Sequence, residues 1–514
     1  MTHATHDPKH DRVVMYLIFA FALVKLLLHL AANAWGGYGI FRDELYYLAC
    51  ADHLAWGYVD HPPLSVFLLA ASRALFGDSL FALRLLPTIV GAGVVLLTGL
   101  LAHEMGGGRL AVTLACVAAV VSGSNLALTS IWSMNVFDLF LTALAAYLLV
   151  RLIRGEQPRL WLLLGLVFGL GLLNKIGMLW IGLGVFAGVA LTRQRRWLAT
   201  PWPWLGGLVS ALIFLPYVLW NATNDWAHLE FIDSAVSGKY SGLSVWTFLS
   251  GQILQQNPTT LLLWLSGLGW LLLAPGGRDF RPLGVAWLTA CAVLLINGQS
   301  RAGYLAPTYA MLFAAGGVAW ANALPRRGWT QGAAIALVAS GILLAPMAMP
   351  LLQVEHYVAY ARALGVEPGT EEGHELAELP QFYADMFGWR EKAAAVAEAY
   401  HGLPQSDRQR ATLFTTNYGR AGAIDYFREE FDLPPASAGH NNYWLWGPRS
   451  GTGEVILMLG GSREDLARRC TSVEVVGTAT CTHCIPYERD VPIHLCRDLR
   501  LPMSELWPLV KHYD

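Results

Sequence analysis

Two short stretches carry more reactive chemistry than their surroundings: Phe41-Arg42-Asp43-Glu44-Leu45-Tyr46-Tyr47 and Trp56-Gly57-Tyr58-Val59-Asp60-His61-Pro62-Pro63-Leu64. Adjacent carboxylates flanked by Arg42 and His61 can do two jobs. A carboxylate can take a proton from an acceptor hydroxyl, and the cations can hold a departing phosphate. The alternative is a solvated loop whose charges cap short helices. Spacing alone leaves both readings open. Helical continuation through 43–54 is amphipathic, so Leu45, Leu48, Ala49 and Ala51 are expected in a membrane interface while Asp43 and Glu44 face inward. Pro62 and Pro63, with Asp60, then set a turn. The apolar stretch 64–76 is short for a span and reads as a re-entrant or interfacial helix.

The elements that position these residues follow from composition. Of 514 residues, 14% are charged and 55% hydrophobic, against roughly 25% charged in soluble domains. Mean hydropathy is +0.42. Disorder, a collagen-like fibre and an ordinary cytosolic enzyme are excluded, and a polytopic membrane protein is indicated. Net charge is −2, so no overall basic field points to nucleic acid. A spanning helix needs about 20 apolar residues. Eleven stretches qualify or come close: 13–34, 83–104, 109–129, 133–152, 160–174, 176–192, 203–220, 257–274, 283–297, 305–323 and 330–352. The first is too long and lacks a small-residue cleavage site, so it reads as a span rather than a removed signal.

Orientation follows from the cations. With residue 1 cytoplasmic, alternate connections carry Arg109; Arg151, Arg154 and Arg159; Arg193, Arg195 and Arg196; Arg278 and Arg281; and Arg326 and Arg327. The opposite connections are poorer, with Arg42, Arg73, Lys175, Lys239 and Arg301 as the main exceptions. The expectation is a plasma-membrane protein with a membrane domain at 1–352 and a periplasmic domain at 353–514. Loop 35–82, carrying the acids, and loop 221–256 fall on the outer side. The tail has turn-rich stretches such as Asp432-Leu-Pro-Pro-Ala, a strand-like run at Glu454-Val-Ile-Leu-Met-Leu, and helical periodicity at 388–401 and 462–469. The fold class is therefore a mainly α membrane helix bundle with a soluble α/β or α+β domain. Cys470, Cys481, Cys484 and Cys496 all fall in that domain. An oxidising compartment points to two disulfides of unreadable pairing. A zinc site from Cys481 and Cys484 with His483, His494 or another Cys is the rival, with free thiols a third reading.

The motifs Asp43-Glu44, Gly57-Tyr58-Val59-Asp60-His61-Pro62-Pro63-Leu64, Phe76-Gly77-Asp78-Ser79, Arg84-Leu-Leu-Pro87 and Gly106-Gly-Gly-Arg109 are present. So are Asn135-Val-Phe-Asp138, Gly171-Leu-Leu-Asn-Lys175, Leu215-Pro-Tyr217 and Trp220-Asn221. Together they resemble the polyprenyl-phosphate-sugar glycosyltransferases of the multi-span C-type fold, which include protein O-mannosyltransferases and lipid A aminoarabinose transferases. The resemblance covers most of residues 10–352, and the Asp43-Glu44 plus Asp60-His61-Pro62-Pro63 pair is its discriminating part. It implies inverting transfer of a sugar from a lipid-linked phosphate donor to an acceptor on the outer face, with Asp43 as general base. Aminoarabinose transferases place a carboxylate and a lysine before the Pro-Pro; here the pair is Asp60-His61. Histidine is partly protonated near neutral pH, which leaves fixed charge to Arg42 or Arg301. The expected partners are a polyprenyl-phosphate sugar and a lipopolysaccharide, glycan or protein acceptor, with no cofactor or catalytic metal.

Further residues stand out. Asp138, near the outer end of the fourth span, reads as a second acid lining a cavity or as a helix cap. Lys175 suits donor phosphate or headgroups. Arg301 and Tyr304 suit phosphate oxygens or interfacial anchoring. Lys25 and His29 share a face of the first span and are expected to pair with a carboxylate elsewhere. In loop 221–256, Trp226, His228, Asp233, Lys239 and Tyr240 suit carbohydrate or lipid-tail gating, or an aromatic belt. Asn417-Tyr418-Gly419 and His440 through Trp446 suit sugar binding or a packed core. Two other classes remain as alternatives. A lipid-sugar flippase is expected to show repeated halves with polar sites at mid-membrane, and a membrane-anchored sensor needs neither eleven spans nor paired acids.

Overall fold

The computed structural model describes residues 8–155, 157–239, 244–298, 300–323, 327–370, 374–449 and 453–514. Arg326 and Tyr240 lie outside the described residues, as do the side chains of Arg327 and Lys239. The chain forms two compact units, one from 1–37, 76–219 and 242–352, the other from 38–75, 220–241 and 353–514.

The first unit is helical, because long runs without charge can satisfy their backbone groups in lipid only internally. Among the described residues, six helices are long and apolar enough to cross a membrane: Asp11–Trp35, Leu80–Glu104, Met134–Gly155, Trp202–Thr223, Pro275–Asn297 and Gln331–Ala348. Shorter apolar helices cover Arg109–Val121, Leu160–Asn174, Met178–Ala190 and Pro258–Leu273. Two stretches differ from the continuous helices expected. The run at 109–129 breaks at Ser122, whose side chain caps a second short helix, Gly123–Leu128. The run at 305–323 opens as a tighter 3-10 turn, Ala302–Thr308, containing Pro307, before Tyr309–Ala323 becomes α-helical. Close packing relies on small residues. A Cβ on Gly267 would lie 2.3 Å from the Leu312 carbonyl oxygen, and one on Gly316 would lie 2.2 Å from that of Leu263.

The break at Ser122 also corrects the expectation for Lys25 and His29. Lys25 Nζ donates to the Asn125 carbonyl at 2.9 Å, and His29 lies 3.2 Å from the Leu126 carbonyl and 3.0 Å from the Thr129 hydroxyl. No carboxylate is recorded as their partner among the described residues. The carbonyls at the end of the short helix, left without a following turn, take the place of the anion.

The second unit carries a five-stranded mixed sheet: β1 (Ala411–Thr415), β2 (Ala436–Ala438), β3 (Val455–Leu459), β4 (Cys470–Ala479) and β5 (Val491–Leu499). Its order is β2-β1-β3-β5-β4, with β1 parallel to both neighbours and β5 antiparallel to both of its own. Helix Tyr418–Phe431 crosses between β1 and β2, as a parallel connection requires. The periodicity at 388–401 and 462–469 corresponds to helices Trp389–His401 and Arg463–Arg469. Cys470 is bonded to Cys496 and Cys481 to Cys484. His494 contacts the Gly461 carbonyl and His483 packs against Phe387, so neither joins the sulfurs.

The acid-bearing segment is helix Arg42–Asp52, and Leu45, Leu48, Ala49 and Ala51 are all buried. The expected interfacial face is absent because helix Tyr418–Phe431 covers it. Gly422 makes that approach possible: a Cβ there would sit 3.0 Å from the Leu45 backbone. The stretch 64–76 is a short helix, Leu64–Phe76. Within 221–256, helices Ala227–Ser234 and Val245–Gln255 replace the expected loop. Asp233 is exposed, and Trp226, at φ +56°, introduces the first of these helices.

Candidate active site

In the second unit, the start of helix Arg42–Asp52 separates the two acids by one residue and by role. Glu44 is fully buried, and its Oε2 accepts the Phe41 backbone N–H at 2.9 Å, capping its own helix. Asp43 points the other way and stays 39% exposed. Its Oδ1 accepts a hydrogen bond from the Tyr418 hydroxyl at 2.9 Å and lies 3.5 Å from Arg42 Nε.

Arg42 is held from several sides. Its Nη1 donates to the Tyr487 hydroxyl at 3.0 Å and stands 3.7 Å from Asp385 Oδ2, while its guanidinium carbon sits 5.9 Å from the Tyr418 ring centre. Burial works against this charge, but Tyr418, Asp385, Asp43 and Tyr487 outweigh it and hold the guanidinium well above its ordinary value. A permanent cation therefore stands beside Asp43.

The second motif folds next to the first. Tyr58 N–H donates to the His61 carbonyl at 3.1 Å, closing a turn. Pro62 and Pro63 are buried, and the Pro63 carbonyl accepts from Val66 and Phe67 to start the next helix. The Tyr46 hydroxyl donates to Asp60 Oδ1 at 2.9 Å, with Asn442 Oδ1 3.2 Å away. Burial, then Asp60, push the Tyr46 phenol well up. Asn442 also accepts the Val59 N–H at 2.7 Å. His61 is 1% exposed, stacked on Tyr47 at 4.7 Å, with Nδ1 3.0 Å from the Pro62 carbonyl. Its buried Nε2 has no hydrogen-bond partner among the described residues, and Asp60 Oδ1 lies 3.9 Å away. His228 joins this group through Nδ1, 2.9 Å from the Val59 carbonyl.

The first unit holds a separate polar group. Lys175 Nζ donates to Asn135 Oδ1 at 2.7 Å, stands 3.7 Å from Asp138 Oδ2, and sits 4.9 Å from the Tyr304 ring centre. Asp138 is 6% exposed and Lys175 14%. Burial lowers the Lys175 ammonium value, Asp138 pulls it back up, and the nearby Arg301 charge pushes it down again. The structure thus gathers Asp138, Arg301 and Tyr304 around the Lys175 ammonium, where the sequence singles out each alone.

Tyr418 and Asn442 reach the acid-bearing motifs across 375 and 396 residues of chain. Both lie in the amide- and ring-rich stretches already noted, but spacing gives no hint of such distant partners. His440, His512 and Asp514 present ligand atoms within 4.8 Å of one another. His440 Nε2 is 2.9 Å from Asp514 Oδ1, and its Nδ1 accepts the Tyr418 N–H at 3.4 Å. With both ring nitrogens engaged, the group is a hydrogen-bonded cluster rather than an open ligand set.

Residues 60–220 match the family model described as dolichyl-phosphate-mannose-protein mannosyltransferase. The match opens at Asp60-His61-Pro62-Pro63 and includes Asp138 and Lys175. Over 419 residues the chain is 24% identical to the lipid A galacturonosyltransferase RgtD of Rhizobium johnstonii, covering 77% of this chain and 83% of RgtD. The crystal structure of ArnT from Cupriavidus metallidurans bound to undecaprenyl phosphate superposes with a TM-score of 0.60 at 15% identity, covering 93% of this chain and 97% of ArnT. Its apo state gives the same values. The chain is a glycosyltransferase with the fold of ArnT, and over residues 60–220 it is similar to the mannosyltransferase family. The resemblance carried by the Asp43-Glu44 and Asp60-His61-Pro62-Pro63 motifs is borne out at that level, as is the mainly helical fold with a small sheet near its end.

Proposed function

We propose that this glycosyltransferase moves a sugar from a polyprenyl-phosphate donor to a cell-envelope acceptor, a glycolipid of the lipid A class, on the outer face of the membrane. Asp43 is the general base. It takes the acceptor hydroxyl proton, and the oxygen attacks the anomeric carbon. The bond from that carbon to the phosphate oxygen breaks, and polyprenyl phosphate leaves with the electron pair, so the anomeric configuration inverts. The departing phosphate needs a cation, for which Lys175 and Arg301 are the candidates, with Tyr304 next to Lys175. Arg42 holds Asp43 in place, and His61 shapes the loop with Asp60, Pro62 and Pro63. Glu44 fixes the helix that presents Asp43.

One observation carries the reading: of the paired acids, Asp43 alone is presented outward, 39% exposed and held by a hydroxyl donor and a cation. The names of the relatives supply the donor and acceptor classes. The test is transfer by the purified chain in proteoliposomes, with undecaprenyl-phosphate galacturonic acid as donor and lipid A as acceptor, the product's anomer being read by NMR. Expected is an inverted glycoside whose yield depends on Asp43. A retained configuration, or equal yield from Asp43→Asn, contradicts the mechanism.

A further inference from the structure

Asp43 belongs to the first motif, but half of what holds it comes from far along the chain. Tyr418 opens helix Tyr418–Phe431, which Asn417 caps by accepting the Arg420 N–H at 2.9 Å. The ring is fixed on three sides: Tyr46 at 4.8 Å, His440 at 4.6 Å and the Arg42 guanidinium at 5.9 Å. Gly419 lets the helix come this close, since a Cβ there would lie 2.7 Å from Arg42 Cγ. The phenol is therefore locked with its hydroxyl on Asp43.

Among the described residues, the Asp43 carboxylate is met by the Tyr418 hydroxyl and Arg42 Nε, both on Oδ1. We infer that Tyr418 is a positioning residue that divides the two oxygens of Asp43: Oδ1 is held by Tyr418 and Arg42, and Oδ2 is left to receive the acceptor's proton. This rests on the proposed role of Asp43 as base. In the step, the acceptor O–H proton passes to Oδ2, and the pair that held it forms the new bond to the anomeric carbon. The pair of the broken carbon–oxygen bond leaves on the phosphate. The tyrosine proton never moves. Its hydroxyl keeps the carboxylate from rotating, so the catalytic oxygen is preorganised rather than found by chance.

Tyr418→Phe removes only the hydroxyl and keeps the ring contacts. A charge-assisted hydrogen bond of this kind corresponds to a loss of roughly 10- to 100-fold in kcat, with KM for undecaprenyl-phosphate galacturonic acid changed by about twofold at most. A substrate-free readout accompanies it. The infrared difference between wild type and Asp43→Asn, taken on the full chain, isolates the Asp43 carboxylate bands. In Tyr418→Phe those bands move, while in Tyr443→Phe they stay. Tyr443 donates to Asp425 instead, so that variant controls for loss of a buried phenol. Unmoved bands in Tyr418→Phe overturn the inference, as does unchanged kcat alongside an inactive Asp43→Asn. Full activity of Asp43→Asn sinks the base assignment instead, and the two failures are told apart.

Discussion

The two units each pair an acid with a cation, and they do so to opposite ends. In the membrane unit, buried Asp138 and partly buried Lys175 face each other at 3.7 Å, with Asn135 and Tyr304 completing the ammonium's surroundings. In the other unit, Asp43 stands 3.5 Å from Arg42, yet Arg42 is anchored chiefly by Asp385, Tyr487 and Tyr418. The first arrangement neutralises its acid. The second leaves its carboxylate exposed and oriented, because its cation is held chiefly by other partners. On the proposed roles, burial and the cation's other partners, rather than the mere presence of a carboxylate, separate an acid that stabilises a bundle from one that accepts a proton.

The comparison breaks first at Asp43. Asp43→Asn keeps the shape and the Tyr418 contact but cannot take a proton, so transfer is expected to fall by about 10²- to 10⁴-fold. The melting temperature of the purified chain stays close to wild type. Asp138→Asn is expected to behave in reverse. It strands Lys175 without its carboxylate, and breaking a buried pair costs about 3–5 kcal/mol, less here because Lys175 keeps Asn135 and some exposure. The readout is thermal or denaturant unfolding in detergent; an unchanged midpoint contradicts the pairing's structural role.

A packing change sharpens the same contrast. Gly422→Val pushes side-chain atoms against the Leu45 backbone, and overpacking of this kind costs about 1–3 kcal/mol. It is expected to reduce transfer and stability together, unlike Asp43→Asn, and parallel activity and melting measurements separate the two.

The smallest expected effect is acid sensitivity. Burial lowers His228 below its ordinary 6.5, with His61 adding to the effect and the Val59 carbonyl and Asp60 opposing it. A histidine value depressed by folding contributes stability above about pH 6.5 that is lost as pH falls through the lower, folded value. Melting midpoints measured from about pH 7 to pH 5 should fall further in wild type than in His228→Gln. Equal slopes contradict the assignment.

What was legible in the sequence was local. The apolar stretches announced their helices because length and hydropathy are properties of one segment, and the periodicity at 388–401 and 462–469 worked for the same reason. Asp43 and Glu44 were legible as a pair, but not their division, since Glu44's role depends on the Phe41 N–H left open at the helix start. Asp138 and Lys175 each stand out in the sequence, while their meeting depends on how two helices pack. Tyr418 and Asn442 were hidden altogether as partners, because contacts across nearly 400 residues leave no spacing to read. Lys25 and His29 misled for a related reason: a helix break at Ser122 supplies carbonyls that no residue type advertises.

The most direct test of Asp43 as the base is a structure of the full chain with an undecaprenyl-phosphate sugar and an acceptor analogue bound. The account predicts the acceptor hydroxyl within about 2.6–3.2 Å of Asp43 Oδ2, on the side of the anomeric carbon away from the phosphate. A hydroxyl held by another carboxylate, with Asp43 out of hydrogen-bond reach, would contradict it.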